Sequence, residues 1–154
     1  MKPNGIIPEP LSHEQVVVAE SPAGTYAQHV RMGPHLISSD EPEALGGNDT
    51  GANPYELLLA ALGSCTSMTL RMYANLKKIP LERVSVALSH RKIHAEECAN
   101  CETRTGSIEE IERVITLEGE LTTEQRERLL EIANKCPVHR ILTSEVSILS
   151  RLSE

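Results

Sequence analysis

The sequence contains no phenylalanine and no tryptophan, and only three tyrosines. Without the large aromatic anchors, a core must be assembled from Leu, Ile, Val, Met and Ala. A chain of 154 residues built that way tends to finish its core against a partner. Basic residues are also in short supply: 15 Lys and Arg stand against 22 Asp and Glu, for a formal net charge of −7. Phosphate backbones and anionic membrane surfaces are bound through clustered Lys and Arg, so this balance argues against nucleic acid and membrane as partners. Long apolar runs are missing too. The most apolar stretch, 57–76, is interrupted by Gly63, Ser64, Thr66, Ser67, Thr69 and Arg71 and does not read as a membrane span. No apolar segment follows a basic start, so no signal peptide is expected and the location read from the sequence is cytoplasmic. In a reducing compartment the four cysteines read as thiols, metal ligands or redox groups rather than structural staples.

What is present falls into a clear order. Residues 1–12, with Pro3, Pro8 and Pro10, read as a flexible tail, and 13–154 as one domain. Strands are expected over 15–20, 26–32 and 35–39, the last two broken at Gly33-Pro34. An acidic, glycine-rich loop over 40–52 leads into a long helix. Asn53 can cap that helix, Pro54 suits its first position, and Glu56 stands where a capping box needs it. The helix carries apolar residues in several directions: Leu58, Leu62, Cys65, Met72 and Leu76 on one stripe, and Leu57, Ala60, Ala61, Met68 and Leu70 elsewhere. A helix apolar all round is a buried helix. It ends near Lys77-Lys78, ahead of Pro80.

Residues 83–94 alternate, with Val84, Val86 and Leu88 to one side. Residues 110–121 do the same, with Ile111, Ile115, Leu117 and Leu121 inward and glutamates outward. Thr122 and Gln125 have capping-box spacing and open a second helix, whose buried stripe is Leu129, Ala133 and Cys136. Pro137 ends it. A short helix over 138–143 and a final strand over 145–152 complete an α+β domain, with antiparallel sheets around a long buried central helix.

Cys65 and Cys136 both lie on apolar helix faces, where a thiol often packs as a small hydrophobe. Two observations favour chemistry. Cys65 is flanked by Gly63, Ser64, Thr66 and Ser67 rather than by bulky side chains. Cys136 stands at a proline-forced break, where free backbone N–H groups favour a thiolate. Cys65 is twelve residues past its helix cap, about 18 Å along the axis, so any activating cation must come from another element.

The run Asn53-Pro-Tyr-Glu-Leu-Leu-Leu-Ala-Ala-Leu-Gly-Ser-Cys65, followed by Lys135-Cys136-Pro-Val-His-Arg140, resembles the OsmC/Ohr family of osmotically induced and organic-hydroperoxide-resistance proteins. The resemblance covers about 16–152 and is stronger to the OsmC-like branch. It implies an intertwined homodimer and a thiol-dependent peroxidase acting on organic hydroperoxides, with no cofactor required. In that pattern Cys65 matches the peroxidatic cysteine, which becomes a sulfenic acid. Cys136 matches the resolving cysteine, which closes a disulfide that a lipoyl-type dithiol reduces. Two positions depart from the pattern. The family's peroxidases place a glutamate directly after Asn-Pro, where this chain has Tyr55 and then Glu56. They also take an arginine from the first interstrand loop, and 21–25 contains none. Glu56, Arg31, Arg71, Arg140 and His139, the last as an imidazolium, are the candidates to activate the thiol.

A second constellation is His90-Arg-Lys-Ile-His94-Ala-Glu-Glu-Cys98-Ala-Asn-Cys101. It reads as a solvated loop, as a Cys₂His₂ zinc site of His90, His94, Cys98 and Cys101, or as a dithiol/disulfide pair. The alternative to a peroxidase is therefore a redox or binding protein of the same fold, with a zinc or dithiol site at Cys98 and Cys101.

Overall fold

The computed structural model describes Ile7, Ser12 and residues 14–153, so most of the expected tail lies outside the described residues. The chain divides into two compact units, Met1–Leu58 and Leu59–Glu154.

In the first unit, β1 (Val16–Glu20), β2 (Gln28–Met32) and β3 (His35–Ser39) form an antiparallel meander in that order. Val30 is buried at its centre, paired with Val18 on one side and Ile37 on the other. The acidic loop that follows contains a 3₁₀ turn over Glu43–Leu45 and is organised by Asp40, which is 2% exposed. Its carboxylate accepts from the Glu41 N–H at 2.8 Å, the Asn48 N–H at 3.1 Å, and both the N–H and hydroxyl of Thr50 at 3.2 and 2.9 Å. Burial raises the Asp40 pKa, but the four donors outweigh it and leave the carboxyl below its ordinary value. The loop delivers the chain to α1 (Pro54–Lys77). Asn53 Oδ1 accepts from the Glu56 N–H at 2.9 Å, and Glu56 Oε2 accepts from the Asn53 N–H at 2.8 Å, which is the reciprocal capping box.

The second unit contains the rest of α1, then β4 (Arg83–His94), β5 (Ser107–Glu118), α2 (Thr123–Ala133) and α3 (Pro137–Leu142). β4 and β5 pair antiparallel over their full lengths, with Val84 opposite Leu117, Val86 opposite Ile115 and Leu88 opposite Arg113. Leu70, Ala74, Leu81, Leu129, Ile132 and Ala133 form the core, with Val84, Ile115 and Leu117 of the hairpin packed against it. Gly63 lets α1 approach the sheet: a Cβ there would stand 2.7 Å from Leu88 Cδ1. At the start of α2, Thr122 and Gln125 complete the second capping box.

Three expectations change. The central helix is not buried all round within the chain. Its buried residues are Leu62, Gly63, Thr66, Leu70 and Ala74, one stripe facing a two-stranded sheet, whereas Met68, Met72 and Leu76 are exposed. A single hairpin and α2 cover only one side of a helix 24 residues long. The second change is at the end of the chain, where 145–152 forms no strand. Its period-two pattern suits a strand, but a strand exists only where a neighbour takes up its N–H and C=O groups. The hairpin is also offset from the reading: β5 begins at Ser107 and stops at Glu118.

Candidate active site

Cys136 is fully buried, and it does not end α2, which stops at Ala133. It is instead the N-cap of α3, with Pro137 at the first helical position. Its sulfur stands where a serine oxygen would in an ordinary cap and accepts the His139 N–H at 3.3 Å. The proline dictates this arrangement, since it requires an extended residue before it and pre-sets the first helical φ.

Thr66, on the buried stripe of α1, brings its hydroxyl to 3.8 Å from the Cys136 sulfur. That hydroxyl has one proton and a nearer acceptor, the Leu62 carbonyl oxygen at 2.7 Å. Its oxygen also accepts from Arg113 Nη1 at 2.9 Å. The Arg113 guanidinium is spread over three partners, with Nη1 also donating to the Ala133 carbonyl at 3.2 Å and Nη2 to Asn134 Oδ1 at 2.8 Å. The cation thus occupies the C-terminal end of α2, where unpaired carbonyls favour it. The half-buried Cys65 precedes Thr66 on α1, and its side chain is among the groups that lower the Cys136 pKa.

The electrostatics follow from this packing. Burial pushes the Cys136 thiol up. The His139 N–H, the Cys65 side chain, the Thr66 hydroxyl and the Arg113 charge together outweigh burial, and the thiol ends below its ordinary value. His139 behaves differently from the sequence reading. Burial, and then Arg113, lower its pKa and so disfavour the imidazolium. His139 serves Cys136 through its backbone N–H, and its lowered pKa works against an imidazolium role.

Beside this cluster is a cleft of about 420 Å³. Leu62, Ile111, Ile115, Leu130 and Leu142 supply its apolar lining, while Arg113, His139 and Asn134 are among its polar groups.

The remaining candidates are placed as follows. Glu56 is engaged in the capping box of α1, in the first unit. Arg31 lies on β2 in that same unit, opposite Val17 and Leu36. Arg71 donates to the carbonyl oxygens of Leu81 and Glu82 and so holds the entry to β4. The Arg140 side chain is exposed; its backbone N–H donates to the Cys136 carbonyl at 3.1 Å. The residue missed in the sequence is Arg113. Its signal was parity: it falls between Ile111 and Ile115 on the inward face of β5, the one cation in an apolar row.

The four-ligand zinc set is not assembled. Cys98 and Cys101 form a disulfide, and His90 Nε2 lies 2.6 Å from Glu109 Oε2. The described residues include no group of three or more His, Cys, Asp or Glu arranged to hold a metal ion. Oxidised sulfurs lack the thiolate that zinc requires, so the arrangement does not fit the metal. No helix among the described residues is long and apolar enough to cross a membrane.

Solved structures share this fold. OsmC from Legionella pneumophila, named an organic hydroperoxide resistance protein, aligns over 88% of this chain and 92% of its own with a TM-score of 0.60 and 22% identity. An OsmC-like protein from Mycoplasma pneumoniae aligns over 84% and 86% with a TM-score of 0.65 and 16% identity. The organic hydroperoxide resistance protein OhrB of Bacillus subtilis aligns over 84% and 89% with a TM-score of 0.55 and 21% identity. No curated protein matches significantly in sequence. The OsmC-like family model matches residues 46–150, a span that includes α1, the hairpin and both cysteines of the cluster. The chain therefore belongs to the OsmC-like protein family.

Proposed function

We propose that this protein is a thiol peroxidase for organic hydroperoxides, with Cys65 as the attacking sulfur and Cys136 as the resolving one. The observation that carries the reading is the joint placement of Cys65, half-buried on α1, and Cys136, fully buried beside the next residue of that helix, with the partly buried Arg113 guanidinium on the same Thr66 hydroxyl. The names of the solved relatives point the same way.

The chemistry follows from the division of labour between the two sulfurs. Cys136 loses its proton readily because its sulfur accepts the His139 N–H and stands near the Arg113 charge. Cys65, the sulfur nearer the surface, gives its proton to the Cys136 thiolate and becomes the nucleophile. It attacks the outer oxygen of R–O–O–H. The O–O bond breaks, Cys65 becomes a sulfenic acid, and the departing alkoxide takes a proton to leave as ROH. Cys136, again a thiolate, attacks the Cys65 sulfur. A disulfide forms, and the hydroxyl leaves with a proton as water. A lipoyl-type dithiol then returns two electrons and two protons by thiol–disulfide exchange. The apolar cleft beside Arg113 and His139 would hold the organic group.

The test is consumption of cumene hydroperoxide with dihydrolipoamide as reductant. Cys65→Ser should abolish turnover. Cys136→Ser should still consume about one equivalent of peroxide and leave a sulfenic acid that dimedone traps. No consumption by the unaltered protein overturns the reading and favours a redox or binding role on the same fold.

A further inference from the structure

The Cys98–Cys101 pair has no part in that cycle. β4 and β5 end at the His94–Ser107 pair, and the loop joining them opens with a 3₁₀ turn over Ala95–Glu97. Its base is fixed: Ile93 and Ala95 are buried, and the Ala95 N–H donates to the Gly106 carbonyl at 2.9 Å. Gly106, at φ +84°, turns the chain back into β5. Between these anchors Cys98 and Cys101 are joined by a disulfide across a Cα–Cα distance of 5.5 Å, and both are partly open to solvent.

Position separates this pair from the other. Arg113, which marks the Cys65/Cys136 cluster, is six residues from the loop end of β5. At the rise of an extended strand the loop leaves the hairpin about 20 Å away. A sulfur–sulfur exchange needs contact, so within one chain the two pairs do not exchange directly.

We infer that Cys98 and Cys101 form a second, independent thiol–disulfide exchange site whose substrate is an uncharged vicinal dithiol. A disulfide that only stapled the loop would close four residues of an already anchored turn, where little chain entropy is removed. One across two intervening residues, and open to solvent, is instead accessible to an attacking thiolate. A thiolate of the dithiol attacks one of the two sulfurs, the Cys98–Cys101 bond breaks, and a mixed disulfide forms. The second thiol of the same molecule then attacks that mixed disulfide. It releases the oxidised dithiol and leaves Cys98 and Cys101 reduced; two electrons and two protons have moved from substrate to protein. A vicinal dithiol does this better than a monothiol because its second attack is intramolecular. Charge points to an uncharged one, since the loop carries Glu96, Glu97 and Glu102 against Arg104 and repels an anionic thiol.

The experiment uses the full-length chain carrying Cys65→Ser and Cys136→Ser, oxidised and then equilibrated with dihydrolipoamide and lipoamide without denaturant. Free thiols are trapped with N-ethylmaleimide and counted by intact mass. Half-reduction is expected at a dihydrolipoamide to lipoamide ratio between about 0.01 and 100, with reduction about tenfold faster than by glutathione at equal thiol concentration. A pair still oxidised at a roughly thousandfold ratio until the protein is unfolded is a structural staple and overturns the inference. Zinc bound at one equivalent per chain by the reduced protein also overturns it, and glutathione acting as fast as dihydrolipoamide overturns the assignment of substrate. If the double variant does not fold, peptide mapping of the unaltered protein reads the same pair. Cys98→Ser with Cys101→Ser should leave the first equivalent of peroxide consumed at an unchanged rate, so failure here and failure of the peroxidase reading are distinguishable.

Discussion

Arg113 is the residue on which the proposed chemistry depends most after the cysteines. A guanidinium on the inward face of a strand must have its donors satisfied and its charge used, since an unmatched buried charge is strongly destabilising. Thr66, Ala133 and Asn134 meet the first requirement. The Cys136 thiolate meets the second. The thiol's pKa is lowered in the folded protein, so its thiolate is present from a lower pH than in a free cysteine, and thiolate-dependent activity rises with pH through that lowered value. Arg113→Met removes the charge and keeps much of the volume. The pH profile of peroxide consumption should then move to higher pH. The rate at neutral pH should fall about tenfold or more, the effect of losing one charge-assisted contact of roughly 1.5–3 kcal/mol. Arg113→Lys should recover part of the profile. An unchanged profile in Arg113→Met would remove the arginine from the activation of the thiol. Both cysteines were singled out in the sequence because their surroundings are local: small residues around Cys65, and a proline after Cys136. Arg113 was not singled out because its meaning is tertiary; only its position between Ile111 and Ile115 announced a cation facing a core.

At the scale of elements, what local chemistry specifies was legible and what a neighbour specifies was not. Both capping boxes, at Asn53/Glu56 and Thr122/Gln125, formed as their spacing required. The final strand over 145–152 did not, because alternation supplies a face but not a hydrogen-bonding neighbour. The contact between α1 and β4 can be tested at Gly63. Alanine there gains about 1 kcal/mol of helix propensity. Its Cβ would also stand 2.7 Å from Leu88 Cδ1, so the end of the leucine must move. The two effects should nearly cancel in the unaltered protein. With Leu88→Ala clearing the space, Gly63→Ala should stabilise by about 1 kcal/mol, measured as a shift in urea midpoint at constant slope. Additive effects in the double variant would show that Gly63 is not held by this contact. The 40–52 loop has its own signature. The Asp40 pKa is lowered on folding, so the carboxylate stabilises the loop fully above its unfolded value, and that stabilisation is lost as pH falls through the lowered folded value. Amide exchange at Asn48 and Thr50, corrected for its intrinsic pH dependence, should therefore accelerate only in strong acid. Acceleration already near neutral pH would mean that Asp40 does not organise the loop.

At the scale of the whole molecule, the apolar surface left open by this chain argues for a second copy. Met68, Met72 and Leu76 recur at helical spacing on α1 and are 68%, 71% and 75% exposed. Ile148, Leu149 and Leu152 in the terminal segment are 84%, 93% and 94% exposed. Exposed apolar side chains recurring along one helix face ordinarily mark an interaction surface. A stripe along one helix is self-complementary about a two-fold axis, which makes a homodimer the simplest partner for a chain with no aromatic anchors but tyrosine. The same stripe begins one turn after Cys65, so covering it would also shield the reactive sulfur from bulk solvent. Sedimentation at micromolar concentration should give twice the 16.9 kDa chain mass. Met68→Glu with Met72→Glu places two like charges one turn apart in the stripe and should produce a folded monomer with an unchanged far-ultraviolet spectrum. In that monomer Cys65 should pass beyond the sulfenic state to the sulfinic acid at lower peroxide concentrations, read by intact mass, because solvent and a second peroxide reach it before Cys136 closes the disulfide. An unaltered protein that sediments as a monomer, or a double variant that stays dimeric, would show that the stripe is not the interface.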